Sequence, residues 1–198
     1  MVMNIGIDID DTITCTSETI RLYSEKYARE NMIEESDIWN IKENKNKFLE
    51  TYLEEIYINA PLKENVREVF EELKGLGCKL YIITARTESY VDNIINLISE
   101  YLEKYDLEVD GIFINGKDKV EVCVNNRIDI MIDDNLYNYY MLTKNNINAL
   151  LFDDKNRYDI IDNRVNDWNK VVKIIKELFR DNAKKKIYQK IDKDIHMC

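Results

Sequence analysis

The chain has 198 residues, of which 45% are apolar and 33% charged, and carries a formal net charge of -10. That is enough to bury a proper core, and it fits one domain with a modest insertion. The charge argues against a nucleic-acid polymer as partner, because such binding needs many phosphates neutralised by Lys and Arg, but a metal and a few local cations would still admit a small phosphate ester.

No apolar run approaches the ~20 residues of a membrane span, and the N-terminus runs into a strand without a signal-peptide pattern. Cys15, Cys78, Cys123 and Cys198 are scattered, and the lone histidine is His196. Neither zinc nor disulfide spacing is present. A cytoplasmic protein with reduced thiols and no membrane partner is expected.

The first element is the apolar run Asn4-Ile5-Gly6-Ile7, which continues into Asp8-Ile9-Asp10-Asp11-Thr12. A run this short reads as a buried strand, and strands of open parallel sheets deliver their last residues into the crevice where ligands bind. Alternation puts Asp8 and Asp10 on one side. Two carboxylates held ~4 Å apart repel by ~4 kcal/mol at an effective dielectric of about 20, so the pair needs a cation or a proton. Magnesium favours oxygen ligands and keeps substrate phosphate in its shell, which points to phosphate chemistry.

From Ser17 to Ala60 the pattern is helical. Thr16 or Ser17 can cap a first helix carrying Ile20, Tyr23, Tyr27 and Ala28, and a later one carries Phe48, Leu49, Tyr52, Leu53 and Ile56 on one stripe. Ile38 and Trp39 lie between them. Most of these rings serve to hold the helices together, whereas Trp39, outside the stripes, is the candidate stacking surface for a nucleobase.

Pro61 is suited to the first position of a helix reaching about Leu76, ended by Gly75 and Gly77. Cys78 to Thr84 follows as a second buried strand closing on a hydroxyl, and Ala85-Arg86-Thr87 opens a helix whose free N–H groups can face an anion. A helix over 88–105 leads to the strand Gly111–Asn115. Lys117 and Lys119 precede the next helical pattern.

Ile128-Asp129-Ile130-Met131-Ile132-Asp133-Asp134-Asn135 is another apolar strand that ends in paired acids. Then come a helix over Asn138–Asn145, a strand over Ala149–Phe152, a polar loop over 153–166 in which Asn156 and Arg157 can approach substrate, and a helix from Trp168 to Phe179. The tail beyond Arg180 holds Lys184, Lys185, Lys186, Lys190 and Lys193 against Asp181, Asp192 and Asp194, as a solvated extension or frayed end would.

Alternating strands and helices predict an α/β fold, a Rossmann-like three-layer sandwich with a mostly parallel sheet, right-handed crossovers and a small helical cap. Residues 1–15 and 60–198 would form the core, and 16–59 the cap insertion.

Asp8-Ile9-Asp10-Asp11-Thr12 after a hydrophobic strand resembles the first motif of the haloacid dehalogenase superfamily, and Thr84, Lys119 and Asp133-Asp134 resemble the motifs that follow it. The resemblance implies that Asp8 is the nucleophile and Asp10 the general acid and base, with Thr84 hydrogen-bonding the phosphoryl group. Lys119, with Lys117 as the reserve, would neutralise phosphate and nucleophile. Asp8, Asp133 and the main-chain carbonyl of Asp10 would bind Mg2+, with Asp134 helping to anchor it.

Within the superfamily, Tyr81-Ile82-Ile83-Thr84-Ala85-Arg86 and the short helical insertion look like the 5'(3')-deoxyribonucleotidases and their bacterial relatives. One departure is Asp11-Thr12, where the vertebrate members carry Gly-Val, so Asp11 adds charge beside the nucleophile. The implied activity is magnesium-dependent phosphomonoester hydrolysis through an aspartyl phosphate, with a (deoxy)nucleoside monophosphate as substrate. The alternatives are another small ester, a sugar phosphate or phosphoamino acid, or a receiver-type signalling module. A receiver carries its phosphoacceptor after the third strand and has no cap. A homodimer is left open.

Overall fold

The computed structural model describes residues 2–158 and 161–180. His196, Cys198 and the Lys-rich tail lie outside them. One open sheet of six parallel strands runs in the order β3-β2-β1-β4-β5-β6. The strands are β1 (Asn4–Ile7), β2 (Lys79–Ile83), β3 (Gly111–Phe113), β4 (Ile130–Asp133), β5 (Asn148–Phe152) and β6 (Arg164–Val165). The expected α/β architecture is present. At two residues, β6 is too short to leave a periodic signal, and that is why the polar loop hides it.

The central strands are apolar on both faces because each face is covered. Ile5, Ile7, Leu80, Ile82, Ile130 and Ile132 pack with α4 (Val66–Gly75), α5 (Ile94–Lys104) and the helix α8 (residues 168–180). Ile83, Met131, Ala149 and Leu151 pack with α6 (Lys119–Asn125) and α7 (Leu136–Lys144). Gly6 lies between β2 and β4, where a Cβ would stand 2.7 Å from Met131 Sδ and 2.8 Å from Ile83 Cδ1. Only glycine lets the strands close there without displacing the second core.

Between β1 and α4 the chain forms α1 (Thr16–Asn31), a short α2 (Glu35–Asn40) and α3 (Lys42–Asn59), with a core of their own. Tyr27, Phe48 and Tyr52 meet edge-on or tilted, with ring centroids 5.6–6.1 Å apart, the spacing that aromatic quadrupoles favour. Two contacts tie this helical unit to the segment after β2. The Tyr57 ring lies on Arg86, and the Tyr90 hydroxyl donates to Asn46 Oδ1 at 3.1 Å.

Three local expectations are corrected. Pro61 does not open a helix. The 61–65 segment instead holds an antiparallel bridge between Leu62 and Thr14, Pro61 O accepts the Cys15 N–H at 2.9 Å, and α4 starts only after Asn65, at φ 62°. Residues 85–87 have no regular structure and 88–93 form turns and bends, so α5 begins only at Ile94. Neither Thr16 nor Ser17 caps α1 through its side chain, because Asp11 does that work from upstream. The close of α4 is as expected, with Gly77 at φ 82° donating to Lys74 O at 2.9 Å.

Candidate active site

The C-terminal ends of β1 and β4 lie side by side, and Asp8 N donates to Ile132 O at 3.0 Å. That register brings Asp8 beside Asp133. Lys119, the first residue of α6, joins them: its Nζ stands 2.6 Å from Asp8 Oδ1 and 2.6 Å from Asp133 Oδ2. All three side chains are buried. Lys117 is exposed, so Lys119 and not Lys117 reaches the acids.

One ammonium between two buried carboxylates leaves negative charge over. Burial pushes the Asp8 carboxyl up to about 8 against the pull of Lys119, and the nearby Asp133 and Asp10 add to the rise. Asp134 is likewise pushed up to about 6, by burial first and then by Asp133 and Asp11, although Arg157 opposes this. Asp8, Asp133 and Asp134 each offer a carboxylate oxygen, all within 4.8 Å of one another. An all-oxygen donor set in a crevice with negative charge left over suits a hard divalent cation such as Mg2+.

Hydrogen bonds fix the orientation of these acids. Asn138 Nδ2 is 3.1 Å from both Asp133 oxygens, and Asn135 N donates to Asp133 Oδ1 at 2.8 Å. Asn135 also caps α7, accepting from the main chain of Tyr137 and Asn138. The Asp134 main chain donates to Thr12 Oγ1 at 3.1 Å, and Trp168 Nε1 donates to Thr12 O at 3.1 Å, so α8 holds the β1 loop against β4. Next to Lys119 and Asn138 is a cavity of about 240 Å³ that Tyr137 also lines.

Asp10 is placed differently from the paired arrangement that strand alternation predicts. β1 ends at Ile7, and the Asp10 carboxylate turns to Arg86, accepting from Nε at 3.1 Å and Nη2 at 2.7 Å, and from Thr16 Oγ1 at 2.7 Å. Burial would raise its pKa, but the charge and hydrogen bonds of Arg86, with the Thr16 bond, hold it below the usual carboxylate range. The Asp10 side chain is outside the three-acid cluster.

Thr84 closes β2 fully buried, and its Oγ1 accepts the Arg86 N–H at 3.2 Å. Gly116 passes so close that a Cβ there would stand 3.1 Å from Thr84 O. Trp39, on α2, is 41% exposed and meets Phe48 edge-on at 5.4 Å. None of its described contacts reaches Asp8, Asp10, Thr84 or Lys119.

The aromatic that the helical unit does bring to the site is Tyr57, with the Arg86 carbon 3.7 Å from its ring centroid. Its hydroxyl is pushed up to about 12, by burial and then by Asp10, with Asp8 adding to the rise. Sequence reading gives no role to Tyr57 or Asn138, and it meets Arg86 only as part of a helix opening and of the stretch Tyr81-Ile82-Ile83-Thr84-Ala85-Arg86. Tyr57 is one tyrosine among several in helical spacing.

Arg157, expected near substrate, stands over the acids. Its Nη2 is 3.3 Å from Asp134 O and 3.4 Å from Oδ2, while its own main chain and Nε bond to Asp153. Asp153 is fully buried and also accepts from Tyr158 N and Arg164 Nη1. Asn156 holds the loop turn at φ 51°.

No family model matches the chain. A protein of Oceanobacillus iheyensis named "putative nucleotidase" is 28% identical over 184 residues, covering 84% of this chain and 96% of its own. Among solved structures, a predicted phosphatase from Clostridium acetobutylicum superposes with a TM-score of 0.64 at 18% identity, over 88% of this chain and 98% of that one. A Bacillus subtilis HAD-hydrolase bound to magnesium does so with a TM-score of 0.62 at 12% identity, over 87% and 98%. The fold is that of the haloacid dehalogenase hydrolases.

Proposed function

We propose that the protein is a magnesium-dependent phosphomonoesterase, acting on a (deoxy)nucleoside monophosphate through a phosphorylated Asp8. The observation that carries this reading is the Lys119 ammonium 2.6 Å from both Asp8 and Asp133, with Asp134 close enough to complete an oxygen site. The name of the Oceanobacillus relative supports the nucleotide as substrate. Residues 16–59 then serve as a cap, which excludes water and selects the leaving group, and the exposed ring of Trp39 offers a surface for the base. The enzyme would work in the cytoplasm on small phosphorylated metabolites.

Asp8, Asp133 and Asp134 would hold Mg2+, with the Asp10 main-chain carbonyl as a further oxygen. The ion supplies Lewis-acid stabilisation of phosphoryl charge. An oxygen of Asp8 bonds to phosphorus as the ester P–O bond breaks, and the electron pair leaves on the alcohol oxygen, which takes a proton from Asp10. Water then attacks the acyl phosphate, Asp10 takes its proton, and inorganic phosphate and free Asp8 are regenerated.

Arg86 and Thr16 hold the Asp10 carboxyl below the usual range against burial, which favours the base half of the cycle, and the proton it takes from water serves the next leaving group. Lys119 and the Thr84 hydroxyl spread charge from the equatorial oxygens. Asp8 follows the first strand and a helical unit follows it, an order that disfavours a receiver module.

A screen of nucleoside monophosphates, sugar phosphates and phosphoamino acids, with magnesium and with chelator, tests the reading. Repeated, magnesium-dependent phosphate release with nucleotides ahead is expected. Release that prefers a sugar phosphate would keep the chemistry and overturn the substrate, and no release from any ester would overturn both.

A further inference from the structure

Arg86 sits three residues past the end of β2, its side chain only 2% exposed, on a segment with no regular structure. A buried guanidinium is costly unless its donors are matched, and a core of this kind can replace such a pair with apolar side chains at no loss of stability. Here the matching carboxylate is Asp10, gripped by Nε at 3.1 Å and Nη2 at 2.7 Å. A two-pronged contact fixes the plane of a carboxylate as well as its place, which a lysine cannot do.

Arg86 is itself held at main chain and side chain. Its main chain donates to Thr84 Oγ1 and its carbonyl accepts the Asn115 N–H at 2.9 Å. The Tyr57 ring covers its face at 3.7 Å. The Oδ1 that Arg86 Nη2 reaches also accepts from Thr16, which is backed by Thr14, 2.7 Å away, whose hydroxyl reaches Ile9 O at 3.0 Å.

We propose that Arg86 is the positioning residue of Asp10, setting the plane in which that carboxylate exchanges its proton, and that Tyr57 is the clamp by which the helical unit holds Arg86 there. The proposal rests on the acid–base role given to Asp10 above. One ring thereby connects the helical unit to the chemistry. A purely structural role, tying helices to sheet, would instead weaken the fold and all substrates alike.

The discriminating readout is kcat/KM, which covers phosphoryl transfer up to departure of the leaving group. A nucleoside 5'-monophosphate leaves an alkoxide that needs the proton of Asp10, whereas p-nitrophenyl phosphate leaves a phenolate that does not. General acids typically contribute 10²–10⁴-fold, so Arg86→Gln is expected to lower kcat/KM about 100-fold or more on the nucleotide and under about 10-fold on the aryl ester. Tyr57→Leu should show the same asymmetry more weakly, Tyr57→Phe should not, and Arg86→Lys should rescue only part. Equal losses on the two esters, or none, would overturn the proposal.

A second measurement needs no turnover. Thermal midpoints of Asp10→Asn, Arg86→Gln and the double variant form a cycle, and the double variant should lose clearly less than the sum of the singles. Additive losses would overturn the proposal whatever the activity. If the wild type hydrolyses neither ester, the phosphatase reading fails and this cycle still decides whether Arg86 and Asp10 act as one unit.

Discussion

The Asp11 carboxylate accepts the Ser17 main-chain N–H at 3.0 Å, across six residues, with Asp11 itself at φ 56°. The Ser17 hydroxyl bonds the same carboxylate. The three acids at the end of β1 therefore go to three different partners: Asp8 to Lys119, Asp10 to Arg86, and Asp11 to the first turn of α1, where an anion is favoured by the helix dipole and free N–H groups. The charge that Asp11 adds beside Asp8 is committed to a helix cap. Asp11→Ala should cost about 1 kcal/mol of stability and leave magnesium-dependent stabilisation in place. Loss of that stabilisation would show that Asp11 belongs to the acid cluster.

Asp8→Asn keeps the shape and one hydrogen-bond acceptor for Lys119 but removes the attacking charge. Turnover should disappear while the unfolding midpoint stays within a few degrees of the wild type, a shift of about 1 kcal/mol or less. A variant that kept a tenth of the activity would mean that another residue attacks.

Folded Asp8 is raised from 3.8 to about 8 and Asp134 from 3.8 to about 6, so between those limits the folded state binds more protons than the unfolded state. Stability of the metal-free protein must then fall as pH rises through that window. Asp10 is lowered and acts oppositely, but only in acid, as pH falls below the ordinary carboxylate range. Magnesium competes with those protons, so its stabilisation should grow with pH, towards ~2.7 kcal/mol at one hundred times its dissociation constant. Unfolding midpoints at about pH 5 and about pH 8, with chelator and with magnesium, test both signs. A chelated midpoint that rises over this interval would contradict the buried cluster.

Much of the frame was legible because it rests on one-dimensional signals. Ile5 and Ile7, Leu80 and Ile82, and Ile130 and Ile132 are short apolar runs that had to be buried strands, and the acids closing two of them had to converge once those strands were neighbours. Lys119 is placed next to them only by the family resemblance, which leaves Lys117 in reserve. The partner of Arg86 could not be read, because an arginine in an expected helix opening points to no carboxylate 76 residues away. Tyr57 is hidden for a related reason: a helical stripe does not say which ring faces inward to Phe48 and which looks out at the neighbouring sheet. The 61–65 segment misleads through Pro61, whose preference for a helix start is outweighed by the bridge from Leu62 to Thr14.

Lys119→Met removes the one ammonium shared by Asp8 and Asp133. Two buried carboxylates left without a countercharge should cost about 3–5 kcal/mol in the metal-free protein. Magnesium should recover part of that loss, since the ion brings positive charge to the same acids. A variant as stable as the wild type in chelator would mean that the pair takes up a proton at little cost.

Trp39 and Tyr57 are two rings of the helical unit with different commitments. Tyr57 is committed to Arg86, whereas Trp39 leans on Phe48 with its edge contact and remains 41% exposed, which leaves ring area for a planar ligand. If a base stacks there, Trp39→Ala should cost roughly 1–3 kcal/mol in kcat/KM for a nucleoside monophosphate and leave p-nitrophenyl phosphate within about twofold, since that ester has no base to lose. The control is the unfolding midpoint. Truncating a half-exposed ring that packs on Phe48 should also cost about 1–2 kcal/mol of stability, so a stability loss with equal kinetic losses on both esters would reduce Trp39 to packing, and no kinetic effect would place the base elsewhere.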